Sequence, residues 1–491
     1  MVLNDKQRQI GSDNFSDALK ITRRQVMSGA VALPSAAALY WGYGELEGKN
    51  KKPVKAGIIG TGNQGCYAHI GQSNPDYIKF VAFSEIRPSN QERAKALFRK
   101  KYGEVPTLYE DYHEMLKQDD IELIVVALPL HLHAEATIAA LNAGKHVLCE
   151  KLMAKTVKQC KEMVRAADKN KKLLAVGHQR HYSYLYANAL SIIEEGLMGD
   201  IRFMRAFWHR NQTNAGAEGA KEGQFDSWKP PIPEADRKYF EKNPEALKKY
   251  GFESLEQLIR WRLDNRTGGG LLVELGSHQL DAISIFLGKH HPVAVQGVGK
   301  VSFFTDDREV WDHISLVYEY GEEANNTVAN YSSICTNAFE GYGEQVMGTQ
   351  GTMIVSKEQN AYLFKEGTTK DTRINWAEQR LSRPVTDSGS TMAWGTGGDV
   401  ANTLTSRGYR EEQEHLAWLI RNPDKMILPN KGNPRPEKKN PIAVPRCHGR
   451  VALIDGVITL ASNLGMEKQK RVVFKPEWFD PYSDSVPEEE I

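Results

Sequence analysis

Glu274 and His278 stand four residues apart in a stretch of helical period, Gly268 to Leu287. On a continuous helix that spacing puts both side chains on one face. A carboxylate beside an imidazole raises its basicity and orients it, although a satisfied structural pair has the same spacing. Lys151 follows Glu150 at the end of a short apolar strand, Val147 to Cys149. Oxidising a secondary alcohol by hydride transfer needs these residue types: a base for the hydroxyl proton, and a donor or cation to steady the developing alkoxide. A site for the hydride acceptor is also written in the chain. Gly60-Thr61-Gly62-Asn63-Gln64-Gly65 follows the β-branched run Val54 to Ile59 and precedes a helix-compatible stretch, Cys66 to Gln72. In such a loop the first glycine permits a tight turn, the second lets backbone approach a pyrophosphate, and the third allows close helix–strand packing. A second strand, Ile78 to Ser84, ends at Glu85, where an acid binds a ribose 2′-hydroxyl and repels a 2′-phosphate. That favours NAD over NADP, against which Arg87 stands as a cation able to meet the phosphate or stack on adenine.

Around these residues strands and helices alternate. Helices are expected from Ser89 to about Tyr102, Ala134 to Ala143 and Thr156 to Lys169, with strands at Leu123 to Ala127, Val147 to Cys149 and Leu173 to Val176. Such alternation predicts a parallel sheet covered on both faces, with ligands beyond the carboxyl ends of its strands. Pro129 to His133, Glu150 to Leu152 and Gly177 to Tyr182 fall there. Pro129, His133 and Glu150 are therefore candidate cofactor contacts beside Gly60, Gly62, Asn63, Gln64, Gly65, Glu85 and Arg87. His178, Gln179, Arg180, His181 and Tyr182 are candidate substrate contacts. Beyond Tyr182 the pattern changes to successive strands near Val293 to Ser302, Ile314 to Tyr320, Thr327 to Ser333, Glu344 to Gly348 and Thr352 to Val355. These predict an α+β second domain with a mainly antiparallel sheet. Trp208, His209 and Arg210 end a strand in that half and can meet a polyhydroxylated ligand, and Asp281 continues the face of His278. The polar stretch from Asn211 to Arg260 is longer than a plain connector and suits a lid or an oligomer contact. The resulting division is 1–50 leader and linker, 51–180 dinucleotide domain, 181–465 substrate domain and 466–491 tail.

The Gly60 fingerprint, the run Ala143-Gly144-Lys145-His146-Val147-Leu148-Cys149-Glu150-Lys151, and Gly268-Gly269-Gly270-Leu271-Leu272-Val273-Glu274-Leu275-Gly276-Ser277-His278 together resemble the Gfo/Idh/MocA oxidoreductases. The resemblance departs at Leu152, where the family has proline, and at Glu274, where it has aspartate. It implies a Rossmann-type doubly wound domain followed by an open sheet whose exposed face serves oligomerisation. It also implies catalysis by Lys151 and His278, with Glu274 as the orienting or substrate-binding partner. The substrate class implied is a sugar, oxidised at a secondary hydroxyl with NAD. A relative that oxidises a sugar transiently, cleaves it and re-reduces it would show no net redox change. A non-catalytic sugar or nucleotide sensor on the same fold would need no Lys151 or His278.

Composition excludes other classes. The 491 residues are 41% hydrophobic and 25% charged, with 63 basic and 62 acidic side chains. A net charge of +1 leaves no field for nucleic acid. The five cysteines include no C-x-x-C pair, which argues against a disulfide scaffold or a cysteine-built zinc site. His178, His181, His209 and His278 have no compact ligand spacing, so no metal is assigned. Thr22-Arg23-Arg24-Gln25-Val26-Met27 precedes a weakly apolar run to Trp41 that is too short and broken to span a bilayer. The order of polar segment, paired arginines, apolar run and small residues resembles a bacterial twin-arginine export signal, and so predicts a periplasmic protein. A dimer or tetramer is the expected assembly.

Overall fold

The computed structural model describes residues 3–27, 52–212, 226–366, 407–433, 436, 440 and 442–491. The chain opens with helix α1 (Asp5–Met27). Six strands then form a parallel sheet: β1 (Val54–Ile59), β2 (Ile78–Ser84), β3 (Thr107–Tyr109), β4 (Leu123–Val126), β5 (His146–Cys149) and β6 (Leu174–Val176). Their order is β3-β2-β1-β4-β5-β6, so the winding reverses between β1 and β4 and opens a crevice at their carboxyl ends. Helices α2 (Pro88–Tyr102), α3 (His133–Asn142) and α4 (Val157–Asn170) are the crossovers. The central strand β4 reads as an unbroken apolar run because both its faces are covered; all of it is buried. Thr156 caps α4 by accepting from the Gln159 amide.

After α5 (Tyr184–Glu194) the chain builds a second sheet from β7 (Ile201–His209), β8 (Ala294–Lys300), β9 (His313–Glu319), β10 (Val328–Ile334), β11 (Tyr342–Gly348), β12 (Gly351–Ser356), β13 (Asn360–Lys365) and β14 (Val472–Val473). The order is β13-β12-β11-β7-β10-β9-β8-β14, antiparallel except where β10 lies parallel to β7. Residues alternate across it. Leu316, Tyr318, Ala329 and Tyr331 face the core, whereas Val317 and Val328 are exposed. The core-side helices are α7 (Ser277–Phe286) and α9 (Gly449–Glu467), and α6 (Glu234–Lys242) precedes them.

Four features differ from the sequence expectations. The stretch from Gly268 is not one α-helix: Leu272–Gly276 is a π-helical turn leading into α7. Helix α8 (Tyr409–Arg421), numerically in the second domain, places Leu416, Trp418 and Leu419 against Val54, Ile58 and Val125 of the first. The tail supplies β14, which pairs with β8. Of the polar insertion, the part after Asp226 is packed structure; Phe240, Leu247 and Phe252 are buried. Its Asp236 reaches the start of α2, accepting from Ser89 and Arg87. Helix α1 lies along the open edge of β13, where Asn14 donates to the Leu363 carbonyl at 3.1 Å and Phe15 and Ala18 are buried. The apolar run and small residues of the export signal lie outside the described residues.

Candidate active site

The glycine loop has the geometry its composition requires. Gly60 has φ +90°, and a Cβ there would stand 2.4 Å from the Ala127 carbonyl oxygen. A Cβ on Gly65 would stand 2.1 Å from the Gly60 carbonyl oxygen, so the helix start is pressed onto the strand end. At Gly62 a Cβ would meet nothing within 4 Å; the loop is open on the side a pyrophosphate would occupy. The residues present therefore fit a dinucleotide. Gly62, Asn63 and Gln64 would lie along it, with Pro129, half-buried beyond β4, on the crevice side.

Glu85 has a different role from the one expected. It is buried, and its carboxylate accepts from the amides of Thr61 (3.0 Å), Ile86 (2.9 Å) and Arg87 (2.9 Å) and from Asn90 Nδ2 (3.1 Å). It braces the glycine loop against the β2–α2 turn. Arg87 points away, paired with Asp236 through Nη2 at 2.9 Å. The guanidinium at the loop is instead that of Arg93, which donates to Asn63 Oδ1 at 2.7 Å and to the Thr61 carbonyl. Glu150 is buried behind the loop and accepts from Gln64 Nε2 at 2.7 Å, with His69 Nε2 at 2.8 Å. Burial opposes its charge, but His69 and Gln64 hold its carboxyl below the usual range. His133 corrects a cofactor assignment: its two ring nitrogens face the Leu152 and Leu128 carbonyls, each at 2.8 Å, inside the protein.

Lys151, Glu274 and His278 do converge, in an arrangement the spacing did not specify. Lys151 Nζ donates to the main-chain carbonyl of Glu274 at 2.7 Å and lies 3.5 Å from Ser277 Oγ. The peptide bond from Lys151 to Leu152 is cis. Burial draws the ammonium below its ordinary value, against Glu274 and Glu150. The Glu274 carboxylate is turned to Arg262, with Nε at 2.8 Å. It does not hydrogen-bond His278, which corrects the expected carboxylate–imidazole pair. The imidazole is half-buried and lies 5.7 Å from the Trp208 ring. Burial, reinforced by Lys151, Arg180 and His178, pushes it well below its usual value, the reverse of the shift expected from Glu274. His278 is neutral at neutral pH and able to take a proton.

The Gly177–Tyr182 segment is mostly beneath this site. His178, Gln179, Arg180 and Tyr182 are buried. Arg180 is a strut: its guanidinium holds Glu344 (2.7 Å), Glu358 (2.7 Å) and the His278 carbonyl (2.6 Å). Tyr182 lies with its hydroxyl 3.0 Å from His415 Nδ1 and accepts from the Arg446 amide. Asp281 is also buried, so these side chains do not line the cleft as substrate contacts. His209 is on the wrong face. Strand alternation sends it to the outer side of the sheet, between the Phe339 carbonyl and Ser332. Trp208, one residue earlier, faces inward against His278 and stacks on Tyr342 at 4.5 Å. Both neighbours are aromatic strand residues, and only the register tells them apart.

A glycine-turned dinucleotide crevice, with an ammonium and a neutral imidazole at its edge and an antiparallel domain closing over them, defines a nicotinamide-dependent oxidoreductase. Residues 54–178 match the oxidoreductase family with an NAD-binding Rossmann fold, and residues 249–354 match the GFO/IDH/MocA C-terminal domain. Both matched segments are those of the Gfo/Idh/MocA oxidoreductases. It is 26% identical over 307 residues to an uncharacterised oxidoreductase of Schizosaccharomyces pombe, covering 62% of this chain and 70% of that one. It is 33% identical over 149 residues to the inositol 2-dehydrogenase of Salmonella paratyphi B, covering 30% of this chain and 43% of the relative, less than half its length. In fold it is similar to the aldose-aldose oxidoreductase of Caulobacter crescentus, solved with glycerol: TM-score 0.56, 18% identity, 86% of this chain and all of that one.

Proposed function

We propose that the protein oxidises a secondary hydroxyl of a sugar or sugar derivative with NAD, which it retains through the catalytic cycle. The observation that carries this reading is the convergence of Lys151 with the neutral His278 at the crevice edge. An ammonium has three donors. Lys151 directs one to the Glu274 carbonyl and another toward Ser277, which leaves the third for a substrate oxygen. His278 takes the hydroxyl proton, and Trp208 offers an apolar flank for a sugar ring. A nicotinamide bound against the glycine loop would supply the hydride acceptor. The match of residues 54–178 to an NAD-binding Rossmann fold supports NAD, and the relatives support a polyol or sugar.

Retention follows from export. Among the described residues no helix is long and apolar enough to cross a membrane, and the paired arginines support delivery to the periplasm, where free NAD is scarce. The exposed outer face of the second sheet supports a homodimer or homotetramer. The test is to denature the purified protein, assay released nicotinamide, and incubate the native protein with free sugars and aryl glycosides, with and without NAD. Sugar-dependent reduction of nicotinamide is the expected result. Aglycone release without net absorbance change would assign the redox-neutral route instead, and no turnover of any kind would leave a sensor.

A further inference from the structure

Behind His278 lies a buried polar cluster that the reaction so far does not use. The His178 side chain is fully buried, and neither ring nitrogen has a hydrogen-bond partner. Its Nδ1 stands 3.6 Å from Asp281 Oδ2, which is also unpartnered. The other oxygen of Asp281 lies 2.8 Å from His181 Nε2 and accepts from Lys289 Nζ at 2.7 Å. Lys289 reaches on to Asp455 of α9 at 2.9 Å. His181, its side chain 10% exposed, and Lys289, 13% exposed, are the members that reach solvent, His181 beside Arg446. Asp281 follows His278 by three residues on the same face of α7. His178 is near enough to His278 that a charge on one disfavours a charge on the other.

Buried imidazoles with both nitrogens idle are rare, because an unmade hydrogen bond inside a protein is costly. Several such atoms gathered in one buried cluster are where ordered water belongs. Burial works against the charge of Asp281, but His181, Lys289 and His178 keep it ionised, while burial holds the Asp455 carboxyl up to about 7. His178 and His181 are held below their ordinary value by burial, hence neutral. Cys447, also close, is kept a thiol by burial. His178, Asp281 and Asp455 bring donor atoms within 4.8 Å of one another, as do His181, Cys447 and Asp455. The Lys289 ammonium already stands as the cation between the two carboxylates.

We propose that His178, Asp281 and His181 form a hydrated proton path between His278 and the surface. The path rests on the oxidoreductase reading. In each oxidation the substrate O–H bond breaks and its proton goes to His278. The C–H electron pair leaves as hydride to the nicotinamide, and the proton then passes by water and His178 to Asp281 and out past His181. Substrate re-reduction draws a proton back along the same path. These three are positioning and relay residues, since none touches substrate.

The test pairs a crystal structure of the purified protein with the variant His178→Leu, which is closer in volume to histidine than phenylalanine is and removes the idle nitrogens. Expected are ordered waters within hydrogen-bond distance of His178 and of Asp281 Oδ2. The variant should keep its bound nicotinamide, melt no lower than the parent, lose at least tenfold in kcat and show a larger solvent deuterium isotope effect. A dry cluster, a metal ion in place of Lys289, or a variant with unchanged kcat and isotope effect would overturn the path. Failure of every sugar with the parent protein would sink the oxidoreductase reading and the path with it, whereas an active parent with no ordered water at His178 or with an unaffected variant would sink the path alone.

Discussion

Lys151 Nζ and the main-chain carbonyl of Glu274, 2.7 Å apart, tie the end of β5 in the first domain to the π-helical turn before α7 in the second. The bond sets the ammonium at the seam between the two halves. A side chain fixed there can present its remaining donor to a substrate oxygen without searching, which is how a preorganised donor lowers a barrier. Lys151→Met should keep the fold and the bound nicotinamide while kcat falls by about 10²–10³-fold, the usual consequence of losing one such donor. Steady-state kinetics on the sugar found active, with nicotinamide absorbance to check loading, measure this. Undiminished kcat would remove Lys151 from the reaction.

The pH profile follows from opposite shifts at two groups. His278 must be neutral to accept a proton, and its environment holds it well below 6.5, so activity should persist under mildly acid conditions and fall only as pH drops through that depressed value. Lys151 must be charged, and burial holds it below 10.5, so the basic limb should begin earlier than for a free lysine. Because Glu274 is committed to Arg262, Glu274→Gln should raise KM and leave the acid limb of kcat/KM in place. An acid limb that moves with Glu274→Gln would restore the carboxylate–imidazole pair.

Adjacent positions on β7 offer a sharp comparison. Trp208 faces His278, and His209 faces the opposite side of the sheet. Trp208→Ala should raise KM about tenfold, in keeping with the loss of one aromatic contact. His209→Ala should leave kcat and KM within about twofold, as for a residue away from the chemistry. Equal effects of the two substitutions would mean that the strand register has been misread.

The parts of the site that were legible in the sequence are those where chemistry restricts residue type locally. Gly60 needs positive φ and Gly65 close approach, and few residues other than glycine meet either demand, so the loop announces itself. Lys151 and His278 could be placed through a family resemblance. What could not be read depends on partners far along the chain. Arg180 looked like a substrate contact because nothing local shows that Glu344 and Glu358 will bury it. His133 opens α3 beyond the end of β4, where a cofactor contact could lie, but its ring turns to two carbonyls of the interior. The π-helical turn at Leu272–Gly276 is invisible to a 3.6-residue period, and the turning of Glu274 toward Arg262 came with it.

Glu85 gives a prediction opposite to the usual design rule. Removing the acid at the end of β2 is expected to relax a preference for NAD. Here the carboxylate carries the loop amides, so Glu85→Ala should cost about 2–4 kcal/mol of stability, several charge-assisted hydrogen bonds being lost together. It should weaken NAD and gain no affinity for NADP, because Arg87 remains paired with Asp236. Calorimetric melting with dinucleotide titrations tests both parts. Tight NADP binding by a variant as stable as the parent would show that Glu85 acts on the ribose alone.

His133 links stability to pH. Burial works against its charge, yet Cys149 and the Leu152 and Leu128 carbonyls raise it from an ordinary 6.5 to about 9. A folded-state value above the unfolded one means the folded protein holds the proton more tightly. The stabilisation is therefore complete below pH 6.5 and lost as pH rises through 9. The two values set the loss at roughly 3 kcal/mol. Denaturant unfolding at about pH 6 and about pH 10 should show that loss in the parent protein. His133→Leu should be the less stable at the lower pH, with its own decline across the window smaller by a similar amount. Parallel declines in the two proteins would place the alkaline sensitivity elsewhere.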